Sequence, residues 1–156
     1  MKGIALLRHG HAETGPSDFN RTLSPRGYLE VQSVALKISA RLGRPDRVIS
    51  SPAKRAIETA GEYLKQPAGE VSFETNEELY AATEEDLLRL IAELPEKFEL
   101  ILLVGHNPSF EDLIISFTHE RTRLKPGFCY YMAVDIDEWP EIFLPANILE
   151  KILFTP

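Results

Sequence analysis

The sequence predicts an α/β protein built on a mostly parallel sheet, and three observations carry that expectation. Short apolar runs alternate along the chain with segments of helical periodicity. Two of those runs, Gly3 to Leu7 and Glu99 to Val104, are almost unbroken, as strands buried on both faces are. Three of the four helical segments open with Ser-Pro or Asn-Pro, a capping residue followed by the residue that suits the first helical position.

In chain order, Gly3 to Leu7 reads as a central strand, and Glu13 to Leu23, rich in Gly, Pro, Ser, Asp and Asn, as a loop. Ser24-Pro25 opens a helix whose apolar stripe is Tyr28, Val31, Ala35, Ile38 and Leu42, closed by Gly43. Arg47 to Ser50 reads as a second strand. Ser51-Pro52 then repeats the helix start, with Ala53, Ala56, Ile57, Ala60 and Leu64 as the stripe. Val71 to Phe73 suggests a third strand. Thr83-x-x-Asp86 predicts a capping box, followed by Leu87, Leu90, Ile91 and Leu94 and stopped by Pro95. After the strand ending at Val104, Asn107-Pro108 predicts a helix carrying Phe110, Leu113, Ile114 and Phe117. Cys129 to Ile136 and Leu149 to Phe154 read as late strands near an edge, and Asp137 to Asn147 as loop.

Composition narrows the function classes. A length of 156 residues predicts one domain, 1–156, with a real core. A net charge of -7 speaks against binding nucleic acid or an anionic membrane through the overall field. Cys129 stands alone, which excludes an intrachain disulfide and disfavours a thiolate zinc site. No apolar run reaches the length of a bilayer span and no secretory signal is evident, so a cytoplasmic setting is expected.

The unusual residues fall at strand ends. Arg8-His9-Gly10 follows the first strand, Ser51-Pro52-Ala53-Lys54-Arg55 the second and Gly105-His106-Asn107-Pro108 the strongest. In an open α/β sheet ligands bind beyond the carboxyl ends of strands. The three stretches should therefore meet on one rim and bring together Arg8, His9, Arg55, His106 and the amides of two helix starts. That is a focused anion site on an acidic protein, and a phosphoryl group suits the donor fork of arginine. No cysteine is placed among these residues and there is no P-loop, which leaves neutral imidazole as the group able to attack phosphorus. No metal and no organic cofactor is expected, and His9, His11, His106 and His119 fit no closed zinc pattern.

With these motifs in order, the chain resembles the histidine phosphatase superfamily, the phosphoglycerate-mutase-like fold. Arg8-His9-Gly10, Ser51-Pro52-Ala53-Lys54-Arg55-Ala56-x-x-Thr59-Ala60 and Gly105-His106-Asn107-Pro108 correspond to its three motifs. The spacing and Leu23-Ser24-x-x-Gly27 are most similar to the SixA-type phosphohistidine phosphatases. The resemblance implies a three-layer sandwich with helices on both faces and a minimal lid. It implies His9 as phosphoryl acceptor, with Arg8, Arg55 and His106 on the phosphoryl oxygens. It implies Arg21 as a further arginine of the pocket, and Glu78, with Glu77 its neighbour, at the place of a proton-donating acid. The expected activity is hydrolysis of phosphohistidine on a signalling or phosphotransfer protein. Hydrolysis of a small phosphate ester, or phosphate binding without chemistry, are the alternatives. The partner is then a phosphorylated protein or small molecule; the oligomeric state is left open.

Overall fold

The computed structural model describes residues 1–156 and contains one six-stranded sheet flanked by four helices. The strands are β1 (Lys2–Arg8), β2 (Arg47–Ser50), β3 (Ser72–Thr75), β4 (Leu100–Gly105), β5 (Cys129–Val134) and β6 (Ile148–Phe154). The helices are α1 (Pro25–Leu42), α2 (Lys54–Tyr63), α3 (Glu84–Ala92) and α4 (Ser109–Thr118). The spatial order is β3-β2-β4-β1-β5-β6, with β3, β2, β4 and β1 parallel and β5 antiparallel to both its neighbours.

Alternation along β1 divides the core into two layers. Ile4 and Leu6 join Ile101, Leu103, Leu87, Ile91, Phe110 and Leu113 under α3 and α4. Ala5 and Leu7 join Val48, Leu102, Val34, Ile38, Ala56 and Ala60 under α1 and α2. The expected three-layer sandwich is therefore the observed one. Ser24 caps α1 by accepting from the Gly27 amide, and Thr83 with Asp86 forms the capping box of α3. No helix is long and apolar enough to cross a membrane.

Four local expectations are corrected. Ser51-Pro52 does not begin α2: Ser51 turns its hydroxyl to His106 and the helix starts at Lys54. The buried face of α2 includes Thr59 and Tyr63, while Ile57 is exposed. Asn107 caps nothing, because its side-chain amide donates instead to Glu111 and to the Leu124 carbonyl. The segment expected as loop carries a 3-10 turn, Trp139–Phe143, whose Trp139 is fully buried in the α3–α4 layer. The indole needed a hydrophobic site, and the gap at the end of that layer supplies one.

One contact ties the fold to the rim. Gly27, in the first turns of α1, lies so close to the His11 backbone that a Cβ there would stand 2.1 Å from the His11 carbonyl oxygen. A glycine inside a helix normally costs about 1 kcal/mol relative to alanine. Here the clash with fixed backbone outweighs that gain. Gly27→Ala is expected to lower stability by roughly 2 kcal/mol, the range of overpacked cores. The shift of the denaturant midpoint measures it; a more stable variant would show that α1 can move off the rim freely.

Candidate active site

Register brings the three motifs together. Arg8 pairs with Gly105, and Ser50 with Val104, so β1, β4 and β2 end side by side. His9, Ser51 and His106 are the residues that follow, and Arg55 reaches them from the first turn of α2.

The hydrogen bonds fix the state of each imidazole. His9 Nδ1 lies 2.8 Å from the Gly10 carbonyl, which can only accept, so Nδ1 carries the proton. Nε2 is left with its lone pair, 3.3 Å from the donating Nε of Arg55. On His106, Nδ1 accepts from Arg55 Nη2 at 3.4 Å, and Nε2 donates to Ser51 Oγ at 2.8 Å. The two rings are 5.1 Å apart between centroids. Burial, with Arg55 and Arg8 nearby, pulls His9 down to about 3 and His106 down to about 4. Both are neutral at physiological pH, and a neutral imidazole is the nucleophilic form.

Thr59 holds the turn beneath His9. Its hydroxyl donates to the Arg55 carbonyl at 2.7 Å and accepts from the Gly10 amide at 3.1 Å. Gly10 itself leaves no room for a side chain: a Cβ would lie 2.8 Å from Val31 and 3.0 Å from the Gly27 carbonyl. The glycine and threonine of the motifs thus serve to aim the histidine.

A cleft of about 460 Å³ opens beside the His106 ring, lined by Asp18, Arg55, Tyr80, His106 and the start of α4 at Pro108 and Ser109; His9 touches its wall through Arg55. Asp18 covers Arg55. Its carbonyl accepts from Nη1 at 2.6 Å and its carboxylate from Nη2 at 3.1 Å. Tyr80 donates to the same carboxylate at 2.7 Å and packs edge-on against His106. The Tyr80 hydroxyl, followed by Arg55, holds the Asp18 carboxyl down at about 2. A carboxylate therefore sits on the guanidinium where an anionic ligand would be received.

The expected residues fall into two groups. His9, Arg55 and His106 are in mutual contact. Arg8 stands beside them; its Nη1 donates to the Leu124 carbonyl at 2.9 Å and its charge acts on both imidazoles. Arg21 reaches the cleft only through Asp18, at 3.4 Å, and otherwise donates to the Glu13 carbonyl. Glu78 lies exposed on the 3-10 turn Glu77–Leu79, and neither it nor Glu77 lines the cleft. Of the helix starts, α2 offers little, since the Ala53 and Lys54 amides are taken by Ser51 and Phe19. Ser51, expected on the rim as a helix start, orients His106 instead, and Asp18 and Tyr80 are the residues that sequence reasoning missed. Only contact with Arg55 and His106 marks them, and those contacts run through loops.

An imidazole nucleophile beside an arginine that binds anions is the equipment of a histidine-dependent phosphatase. The chain belongs to the histidine phosphatase superfamily (branch 1), whose profile matches residues 4–81. No curated protein sequence matches the chain. Its fold is that of a protein assigned as the phosphohistidine phosphatase SixA of Nakamurella multipartitia, with 18% identity, 97% of this chain and 95% of that one covered, and a TM-score of 0.86. One assigned as SixA of Agrobacterium tumefaciens is similar at 24% identity, 97% of both chains and a TM-score of 0.78. The phosphoserine phosphatase of Entamoeba histolytica, solved with 3-phosphoglyceric acid, is similar at 16% identity, 100% and 98% coverage and a TM-score of 0.65.

The neutral imidazoles make a stability prediction. In the unfolded chain they titrate near 6.5, and in the folded protein near 3 and 4. Between those limits the unfolded chain binds protons that the folded one refuses. Stability is therefore complete above about 6.5 and falls as pH drops through the window. Urea unfolding from neutral pH to about pH 4.5 should show that decline. His106→Asn should make it shallower; an unchanged slope would mean that His106 titrates normally.

Proposed function

We propose that the protein removes a phosphoryl group from phosphohistidine on a signalling or phosphotransfer protein, through a covalent phospho-His9 intermediate, with residues 1–156 acting as one domain. The observation that carries the reading is the tautomer of His9. Its Nε2 lone pair points toward Arg55 while its Nδ1 proton is held by Gly10.

In the first step His9 Nε2 attacks phosphorus, the P–N bond to the substrate imidazole breaks, and that imidazole leaves carrying the proton it brought. Arg55 and Arg8 stabilise the charge on the equatorial oxygens, and His106 joins them when Arg55 turns to the phosphoryl group and Ser51 donates to Nε2, which moves the single His106 proton to Nδ1. Arg21 supports the pocket by drawing Asp18 aside when a phosphoryl group displaces it from Arg55. Water then attacks the phosphorus of phospho-His9, the second P–N bond breaks, and inorganic phosphate leaves with His9 restored.

The nature of the leaving group favours phosphohistidine over an ester. A protonated imidazole leaves without help, whereas an alkoxide needs an acid. The carboxyl group in the cleft is Asp18, held at about 2 and so ionised at neutral pH. Glu78 stands outside it. The related solved folds include a phosphoserine phosphatase, so the ester reading is retained as the alternative and is decided by assay.

Two outcomes are expected. Phosphohistidine should be hydrolysed well and a panel of sugar, nucleotide and serine phosphates poorly, with His9→Ala inactive on all. Fast ester turnover that depends on His9 would move the substrate to metabolism, and turnover independent of His9 would refute the mechanism. Asp18→Asn should tighten inhibition by inorganic phosphate about 10-fold, because the competing carboxylate is gone. Unchanged inhibition would show that Asp18 does not compete for Arg55.

A further inference from the structure

A second concavity, about 690 Å³ against about 460 Å³ for the catalytic cleft, lies along the same rim on the β5 side of His9. Arg8 forms part of its wall, together with Arg26 and His11 near the start of α1 and with Arg123 and Lys125 from the loop between α4 and β5. The one acidic side chain in it is Glu30, which Arg26 engages at 2.6 Å.

That basic loop is attached to the catalytic motifs by backbone. Leu124 accepts from Arg8 and from Asn107, and the Gly127 amide donates to the His9 carbonyl at 2.9 Å. Arg121, Arg123 and Lys125 are exposed on it, and none of the three forms a salt bridge or a side-chain hydrogen bond. Elsewhere nine cations are paired with carboxylates, and Lys37, Arg44, Lys54 and Lys97 are not. Of 17 Lys and Arg residues, eight have no acidic partner, and four of those eight are Arg8, Arg121, Arg123 and Lys125. In a chain of net charge -7, Arg8, Arg123 and Lys125 put three unpaired cations into one groove beside the nucleophile, while Arg121 lines the next hollow.

We infer that this groove docks an acidic stretch of the phosphorylated protein substrate, so that carboxylates flanking the phosphorylated residue meet Arg123 and Lys125 while the phosphoryl group meets His9. The inference rests on the proposed function for its substrate and adds the partner's surface chemistry. At about 690 Å³, with its free cations Arg123 and Lys125 exposed along one loop, the groove offers a strip for an extended chain more than a receptor closed around a small diphosphate. A nucleic acid strand is disfavoured as well. Past Arg123 the next hollow is lined by Glu111 and Asp112 as well as Arg121, so a long polyanion would soon meet carboxylates.

The test begins with binding alone. A fluorescein-labelled Glu-rich peptide without phosphate is titrated with the wild-type protein and with Arg123→Ala/Lys125→Ala. Wild type should bind it, more weakly as salt is added, and the double variant about 10-fold more weakly still. A Gln-for-Glu peptide should not bind. Equal binding by the two proteins, equal binding of the two peptides, or tighter binding of a short oligonucleotide overturns the inference. Thermal unfolding confirms that the variant is folded.

The second arm measures turnover of phosphohistidyl peptides with Glu or Gln flanks and of free phosphohistidine. Wild type should prefer Glu flanks about 10-fold in kcat/KM. The double variant should lose that preference and keep its rate on free phosphohistidine. A preference that survives in the variant overturns the groove. Acidic-peptide binding without hydrolysis of any phosphohistidine overturns the substrate reading and leaves the groove standing.

Discussion

Parallel pairing of β1 with β4, and of β4 with β2, is the constraint on which the site depends. Adjacent parallel strands lie about 4.8 Å apart and point the same way, so residues just past their ends are neighbours however distant in sequence. His9 and His106 are nearly a hundred positions apart, yet their rings lie 5.1 Å from one another. Without that register Arg55 could not touch both imidazoles from one helix turn. The rest of the site consists of adjustments to this placement: Thr59 and Gly10 set the turn, Gly27 lets α1 approach, and Ser51 orients His106.

Burial and charge then act in one direction on the imidazoles. Removing His9 from water disfavours its cation, and the guanidinium beside it disfavours it further. The same guanidinium is left positive to receive an anion. In the free protein Asp18 provides that anion, so the buried Arg55 guanidinium does not stand as an unpaired charge. Neutral nucleophile and charged receptor are thus made by the same two neighbours, without any group being asked to change state before a ligand arrives.

Much of this was legible in the residues. The unbroken apolar runs before Arg8 and Gly105 identified central strands, and their shared polarity of chain direction placed His9 and His106 on one rim. Ser24 and Thr83 announced their helices through local chemistry alone. The failures share a cause. Ser51 and Asn107 look like helix caps, but tertiary partners claimed their side chains, His106 in one case and Glu111 with Leu124 in the other. Asp18 and Tyr80 sit in loops, where no periodicity reports which way a side chain turns. Trp139 falls in a stretch of prolines and acidic residues, and only the gap between α3, α4 and β5 explains why it is buried.

Lys2, at the opposite end of β1 from His9, is almost completely buried, with its ammonium donating to the Glu96 and Phe98 carbonyls and lying over the Trp139 ring. The strand is thus anchored at one end and does its chemistry at the other. A scaffold arranged in this way separates persistence from novelty. Loops on the catalytic edge can be lengthened, shortened or recharged over evolutionary time while the fastening at the far edge is left alone, so a lineage can explore new substrates without first having to reinvent a stable protein.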